Sequence, residues 1–235
     1  VWILDPKPSK WVISCGVRIN EILPDDPAIV LVAVKPQMMG EALPRLQRFG
    51  AGTTLFLSVA AGTSISTFEE VLGSSTPIVR AMPNTPAAVG QGITALIGNS
   101  RTTDTDLAEA QSLMAAVGQT VLLQDESQMD AVTGVSGSGP AYVFHLIETL
   151  AEAGVEQGLP VGMAMRLAQA TVAGAGALAV QSDESAEQLR INVTSPHGTT
   201  QAALEVLMND KSGLQSLMTS AVEAATKRSQ ELSND

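Results

Sequence analysis

Aromatic side chains are scarce in this chain: four Phe, two Trp and one Tyr make up 3% of its 235 residues. It has one cysteine, Cys15, and two histidines, His145 and His197. A single cysteine excludes an intrachain disulfide framework and a cysteine-rich zinc module, and so few ligating side chains predict no metal site. We therefore expect a core of Ala, Val, Leu, Ile and Met, and a reducing, cytoplasmic compartment.

Positive charge is also scarce: 13 basic residues face 24 acidic ones, which gives a net charge of −11. Such a chain is predicted to bind neither nucleic acid nor an anionic membrane surface. The most apolar long stretch, residues 161–180, contains Arg166 and Gln169 and is rich in Ala and Gly. This composition predicts a buried or subunit-contacting helix rather than a membrane span.

The first half of the chain alternates between apolar runs and helical patterns. Strands are predicted over residues 1–4, 29–34, 54–59, 78–81, 94–97 and 120–123, and helices over 38–49, 65–72 and 104–117. The run at 29–34 is continuous, as expected of a strand buried on both faces of a parallel sheet. Alternation of this kind predicts an open α/β sheet.

The second half has helical patterns only, over residues 141–157, 161–181, 185–193, 201–208 and 212–232. A boundary is therefore predicted near residues 125–128, with an α/β domain over 1–126 and an all-α domain over 127–235. Helices so rich in Ala and Gly bury little area each, so the helical domain is predicted to need a partner subunit.

Five segments carry candidate chemistry: Ala33–Gln37, Val59–Gly62, Arg80–Ala87, Thr133–Pro140 and Asn192–Thr200. The first two follow predicted strands, where ligands bind in open α/β sheets, although ordinary turns explain them equally well. In the third, two prolines around Asn84 and Thr85 predict a stiff loop, which is either functional or a rigid connection. Glu126 and Asp130 either face a cleft together or form a solvated pair.

The glycines of the fourth segment are Gly134, Gly137 and Gly139, a spacing that differs from Gly-x-Gly-x-x-Gly. The segment predicts a loop with free backbone N–H groups at a helix start, or else close helix packing. The fifth segment brings several hydroxyls and backbone amides to the start of a helix, which favours a carboxylate or phosphate site.

Four stretches, residues 35–37, 80–86, 134–142 and 194–200, together resemble the pyrroline-5-carboxylate reductase family, in the same order and with similar spacing. The resemblance covers essentially the whole chain. It implies a Rossmann-type domain followed by a helical domain that interlocks two subunits, with dimers that assemble into decamers. The family's first strand and its Gly-x-Gly-x-x-Gly loop are absent before Val1, so the resemblance implies a sheet without a central strand and weakened NADPH binding.

The resemblance also implies an activity, the reduction of Δ1-pyrroline-5-carboxylate to proline by NADPH, with NADH as the other possible donor. It implies cofactor contacts at Asp5, Lys7, Asn20, Ala33, Val34, Lys35, Pro36, Ala60 and Ala61. It implies substrate contacts at Glu126, Gly137, Ser138, Gly139, Asp183, Asn192, Ser195, Gly198, Thr199 and Thr200. Ser195 and Thr200 are the implied catalytic residues: Ser195 holds the carboxylate, and Thr200 hydrogen-bonds the ring nitrogen.

Two alternatives remain open at this point. A hydroxy-acid dehydrogenase of related architecture would use a lysine base, but after Lys35 only Lys211 and Lys227 are available, neither in a ligand-like loop. A non-catalytic assembly subunit would keep the helical dimer and bind no dinucleotide. His197 stands where the family commonly has glycine, so a positive φ there would cost strain.

Overall fold

The computed structural model describes residues 1–234. The chain forms two compact units. The first comprises Val1–Ala81 and Leu96–Ala115, and the second comprises Met82–Ala95 and the residues from Ala116 onward.

The strands of the described residues form two sheets. In the smaller sheet, β1 (Trp2–Ile3) and β2 (Arg18–Ile19) are parallel. The larger has the order β3-β4-β5-β6-β7, made of β3 (Ile29–Val32), β4 (Leu55–Ser58), β5 (Ile78–Met82), β6 (Gly92–Gly98) and β7 (Gly118–Leu122). β3, β4 and β5 run parallel, with Ile29 opposite Leu55 and Phe56 opposite Ile78. These strands confirm the predicted open α/β sheet.

β4 is the most buried strand, because its side chains alternate between two apolar clusters. Phe56 packs in one cluster with Phe68, whereas Leu57 packs in the other with Leu96. The prediction that residues 29–34 are buried on both faces is wrong for Leu31, which is 53% exposed. The reason is that β3 pairs with β4 alone among the described strands, so it lies at a sheet edge.

The helices of the first unit are α1 (Lys10–Ser14), α2 (Met39–Leu46), α3 (Ile65–Leu72) and α4 (Asp104–Ala115). α3 matches its predicted range. Its N-terminal Ser64 accepts a hydrogen bond from the Thr67 backbone N–H, and it ends at Gly73, whose φ is +94°. The helix predicted over 38–49 is shorter than expected, because 3₁₀ turns at Pro36–Met38 and Gln47–Phe49 flank α2.

The helices of the second unit are α5 (Gln128–Val132), α6 (Gly139–Glu156), α7 (Val161–Gln181), α8 (Ala186–Asn192), α9 (Thr199–Leu207) and α10 (Leu214–Asn234). α6 and α7 pack through Ala151, Ala164 and Ala168. A Cβ at Gly154 would lie 3.3 Å from the Ala164 Cβ, so small residues permit this close approach. The predicted helical half is confirmed.

One prediction about this half is wrong. Residues 133–140 were expected to form a loop before the long helix, but Thr133–Gly137 forms a π-helical turn that joins α5 to α6. The segment therefore continues a helix and does not open one. Sequence patterns also missed α1, β2 and the 3₁₀ helix Thr85–Val89, because elements of two to five residues carry little periodic signal.

Candidate functional site

The turn after β1 is held by Asn20, which follows β2. Asn20 Nδ2 donates to the Asp5 carbonyl oxygen at 2.8 Å, and the Asp5 backbone N–H donates to Asn20 Oδ1 at 3.0 Å. The Lys7 backbone N–H donates to Asp5 Oδ1 at 2.8 Å. Asn20 has a φ of +54°, a conformation that Asn adopts more readily than most residues. The structure thus brings three predicted cofactor residues together in one ordered turn, with the Lys7 side chain exposed.

The segments after β3 and β4 lie at one edge of the sheet, because these strands are parallel neighbours. The Val59 backbone N–H donates to the Val32 carbonyl oxygen at 3.1 Å, which joins the two strand ends. Lys35 is exposed before the 3₁₀ turn, and Ala60 is buried beside the exposed Ala61. One cation among small side chains at this edge suits a planar ring and a phosphorylated ribose.

Glu126 and Asp130, the predicted pair of carboxylates at the start of the helical half, have different surroundings in the structure. Asp130 Oδ1 accepts a hydrogen bond from Ser229 Oγ of α10 at 2.6 Å, so this carboxylate joins two helices. Glu126 is half-buried just before α5. Hydrogen bonds from the Ser127 side chain and backbone hold the pKa of the neighbouring Asp125 below its usual value. The structure thus gives Asp130 a contact between helices, and Glu126 stays a prediction as a substrate residue.

Gly137, Ser138 and Gly139 lie at the junction of the π-helical turn with α6. The Ser138 backbone N–H donates to the Thr133 carbonyl oxygen at 2.8 Å. A Cβ at Gly137 would lie 2.7 Å from Cε at the flexible end of Met82, and a Cβ at Gly139 would have nothing within 4 Å. Of the two interpretations from sequence, close packing applies to Gly134, where an added Cβ would meet α10, and not to Gly139.

Asp183 precedes α8, and Asn192 is the last residue of that helix. Asn192 Nδ2 donates to Glu184 Oε2 at 2.9 Å, and Gln188 Nε2 donates to Asn192 Oδ1 at 2.8 Å. Asp183 is exposed beside Glu184. The Asn192 amide is thus oriented by its own helix segment.

The segment before α9 brings the remaining predicted residues together. The Gly198 backbone N–H donates to the Ser195 carbonyl oxygen at 3.0 Å, and a Cβ at Gly198 would collide with the Ser195 side chain. Thr199 and Thr200 are the first two residues of α9, where backbone N–H groups have no helical acceptor. Ser195, Thr199 and Thr200 therefore offer donors suited to a carboxylate, whereas the Gly198 N–H is used within the turn.

His197 lies within this set and has a φ of +59°. Its backbone N–H donates to Gln201 Oε1 at 2.7 Å. His197 therefore has the positive φ at which the sequence predicts backbone strain.

Sequence reasoning missed the contacts of Asn84. Its Oδ1 accepts from the Ile93 backbone N–H at 3.0 Å, and its Nδ2 donates to Ser136 Oγ at 3.3 Å. The two flanking prolines marked the loop as rigid, but no local pattern connects residues 52 positions apart. Arg80 is buried in β5 opposite Ser58, so it lies within the strand and not in the loop.

The comparisons with known proteins point to one family and together cover most of the chain. A family model described as pyrroline-5-carboxylate reductase dimerisation matches residues 126–232. A pyrroline-5-carboxylate reductase of Synechocystis sp. is 46% identical over 204 residues, which cover 87% of this chain and 74% of the relative.

Two solved structures are also similar. A pyrroline-5-carboxylate reductase from Coxiella burnetii has a TM-score of 0.92 and 35% identity, over 99% of this chain and 88% of that chain. The pyrroline carboxylate reductase of Plasmodium falciparum, solved with NADP bound, has a TM-score of 0.83 and 30% identity, over 99% of this chain and 87% of that chain.

Proposed function

Since this chain belongs to the pyrroline-5-carboxylate reductase family, we propose that it reduces Δ1-pyrroline-5-carboxylate to L-proline. It is an NAD(P)H-dependent oxidoreductase of proline biosynthesis. The observation that carries this function is the set of donors formed by Ser195, Thr199 and Thr200 at the start of α9, in a chain 46% identical to a reductase of this name. This relation favours the reductase over a non-catalytic subunit and over a hydroxy-acid dehydrogenase.

The residues at the sheet edge fit a dinucleotide. Asp5 and Lys7 lie in the turn ordered by Asn20, where they would contact the ribose carrying the adenine. Ala33–Pro36 and Ala60–Ala61 would line the nicotinamide side. When bound, the reduced nicotinamide supplies the hydride. The exposed Lys7 and Lys10 near this turn favour NADPH, because they suit a 2′-phosphate.

The donors before α9 would hold and polarise the imine. The Thr199 backbone N–H, with Ser195 Oγ, would bind the substrate carboxylate. The Gly198 N–H, which the resemblance also implied as a contact, donates to the Ser195 carbonyl oxygen and so would shape the turn instead. The Thr200 hydroxyl would hydrogen-bond the ring nitrogen. The C=N bond takes up one hydride at carbon and one proton at nitrogen, which balances its conversion to the amine. Thr200 contributes by stabilising the charge on that nitrogen, and no titrating side chain is required.

Six further residues complete the proposed substrate site. Asn192 is already oriented by Glu184 and Gln188, and Glu126 would face the ring. The others are Asp183 and the backbone of Gly137–Gly139, with the side chain of Ser138.

We also propose a functional boundary between residues 126 and 127. Residues 1–126 would bind the dinucleotide, and residues 127–235 would bind the substrate and form the dimer. The dimerisation family model supports this boundary, since it begins at residue 126. Assembly of dimers into decamers is the finer part of the proposal and has support only in the resemblance. The scarcity of cysteine and of positive charge supports a cytoplasmic protein without membrane or nucleic-acid partners.

The test is steady-state kinetics of purified protein with Δ1-pyrroline-5-carboxylate, using NADPH and NADH in separate series. Thr200→Ala should lower kcat/KM for the imine about ten-fold or more, because it removes a hydrogen bond to a charged group. Thr219→Ala is the matched control, since it removes a hydroxyl that bonds only within α10.

The control should leave kcat/KM for the imine at the wild-type value. An unchanged Thr200→Ala enzyme would remove Thr200 from the catalytic role. If the wild-type chain oxidises neither dinucleotide in the presence of the imine, the proposed function is wrong.

A further inference from the structure

The π-helical turn Thr133–Gly137 is an irregularity within an otherwise continuous helical segment. The bond from the Ser138 N–H to the Thr133 carbonyl oxygen spans five residues, one more than in an α-helix. Such widened turns are frequent at functional sites, where they change the direction of a few residues without ending the helix. Here the turn leads directly into Gly137–Gly139.

The Tyr142 hydroxyl reaches back to this turn. It donates to the Gly134 carbonyl oxygen at 3.0 Å, from a position eight residues further along the chain. Tyr142 is half-buried, and it is the only tyrosine of the chain. The hydroxyl is therefore a specific link between the body of α6 and the turn.

The turn is held from two other directions as well. On one side, Asn84 Nδ2 donates to Ser136 Oγ at 3.3 Å. On another side, a Cβ at Gly134 would lie 2.5 Å from Thr226 Oγ1 and 3.1 Å from the Val222 carbonyl oxygen, both of α10. The turn is thus fixed by its own helix, by the loop after β5 and by α10.

We propose that Tyr142 is a positioning residue for imine reduction, which acts by holding the π-helical turn and hence the backbone of Gly137–Gly139. The inference rests on the proposed function, in which these three residues contact the substrate. A displacement of well under 1 Å at a group that orients a substrate lowers the rate, because the reacting atoms leave their productive geometry. Asn84 supports the same turn through Ser136.

The experiment compares wild type with Tyr142→Phe, which keeps the ring and removes only the hydroxyl. We expect kcat/KM for Δ1-pyrroline-5-carboxylate to fall about five-fold, as for the loss of one hydrogen bond, and KM for NADPH to stay unchanged. Thr149→Ala is the matched control, because the Thr149 hydroxyl bonds to carbonyl oxygens of the same helix away from the turn. The control should behave as wild type.

Ser136→Ala removes the link to Asn84 and gives a second, independent variant. Its effect on kcat/KM should depend on the presence of the Tyr142 hydroxyl, so the double variant should lose less than the product of the two single losses. Effects that multiply without coupling would show that the two bonds do not act on one turn, and would contradict the proposal.

A spectroscopic readout is independent of activity. With 3-fluorotyrosine incorporated, the single tyrosine gives one fluorine resonance in the protein without added ligand. Addition of L-proline should shift this resonance, and addition of NADP alone should leave it in place. No shift on saturation with proline would contradict contact between the substrate and the turn.

The outcomes separate the inference from the function on which it rests. A wild-type chain that reduces the imine, with Tyr142→Phe at the same kcat/KM, overturns the positioning role only. A lower unfolding temperature of Tyr142→Phe without a kinetic change assigns the hydroxyl to stability and also overturns that role. A wild-type chain that does not reduce the imine overturns both.

Discussion

His197 shows how one residue departs from the family pattern at a cost that the structure makes visible. Its φ of +59° lies in the left-handed region, which disfavours side chains branched at Cβ and favours glycine. The Gln201 side chain accepts from the His197 N–H at 2.7 Å and so holds the strained conformation. The geometry of the proposed carboxylate site therefore depends on a residue that is held in a strained backbone conformation.

We expect His197→Val to lower the free energy of unfolding by about 1–2 kcal/mol, because a β-branched residue is strained at positive φ. His197→Asn is the matched control and should stay within about 0.5 kcal/mol of wild type, since Asn tolerates this conformation. Urea denaturation with a common slope measures both. Equal stability of the Val and Asn variants would show that the backbone there is free to change.

At the scale of elements, glycine has a packing role in the helical half. Gly134 is buried in the π-helical turn against α10, and Gly154 lies against Ala164 of α7. Both glycines permit one helix to approach another more closely than a Cβ would allow. Glycines that look like loop residues in the sequence are therefore needed here as contact points between helices.

Gly134→Ala should lower the free energy of unfolding by about 2 kcal/mol, because the added Cβ would meet Thr226 Oγ1 at 2.5 Å. Gly162→Ala is the control, since that position of α7 has nothing within 4 Å of an added Cβ. The control should be more stable by about 0.5–1 kcal/mol from helix propensity alone. Thermal or urea unfolding gives both values, and a Gly134→Ala protein as stable as the control would contradict the packing role.

At the scale of the whole molecule, the helical half exposes apolar side chains that a single chain does not cover. α7 meets the length and composition of a membrane-spanning helix. Only 11% of its apolar window is buried within this chain, so most of that surface is uncovered. Leu167 and Leu178 are 52% and 54% exposed along it. With a dimerisation family model over residues 126–232, these side chains support an interface between two copies.

Leu167→Lys should shift the protein from dimer or larger toward monomer, because it would place a charge within an apolar interface. Leu113→Lys on α4 is the matched control, since Leu113 is 46% exposed and lies outside the helical half. Sedimentation over a range of protein concentrations distinguishes the two. A wild-type chain that sediments as a stable monomer would refute the dimer.

Much of the fold was predictable from local patterns. β4 and β5, α3 and α7 match their predicted ranges within one residue at each end, because their signals are an apolar run, a helical period, or a glycine or proline at the end. α1 and β2 were not predictable, since five and two residues are too few for a period. The edge position of β3 was not predictable either, because burial depends on which strands lie beside it.

The candidate site was likewise predictable in part. The hydrogen-bond donors before α9 and the small side chains at the sheet edge could be identified from the sequence. Residues of both segments also contributed to the family resemblance. The links that hold them could not be identified in this way: Asn20 with Asp5, Asn84 with Ser136 and Asp130 with Ser229 join residues 15, 52 and 99 positions apart. No local rule connects such pairs, because their distance is set only when the intervening chain has folded.

The sequence was sufficient for the α/β half and the helical half, since composition and periodicity are local properties of the chain. The reductase activity was implied by the resemblance of four short stretches to a known family. The structure was needed to show that Thr133–Gly137 is a widened helical turn, that Tyr142 holds it and that His197 is strained. A glycine in the sequence looks the same whether it lies in a loop or at a close contact between helices. Only the atoms around it in the folded chain distinguish these two roles.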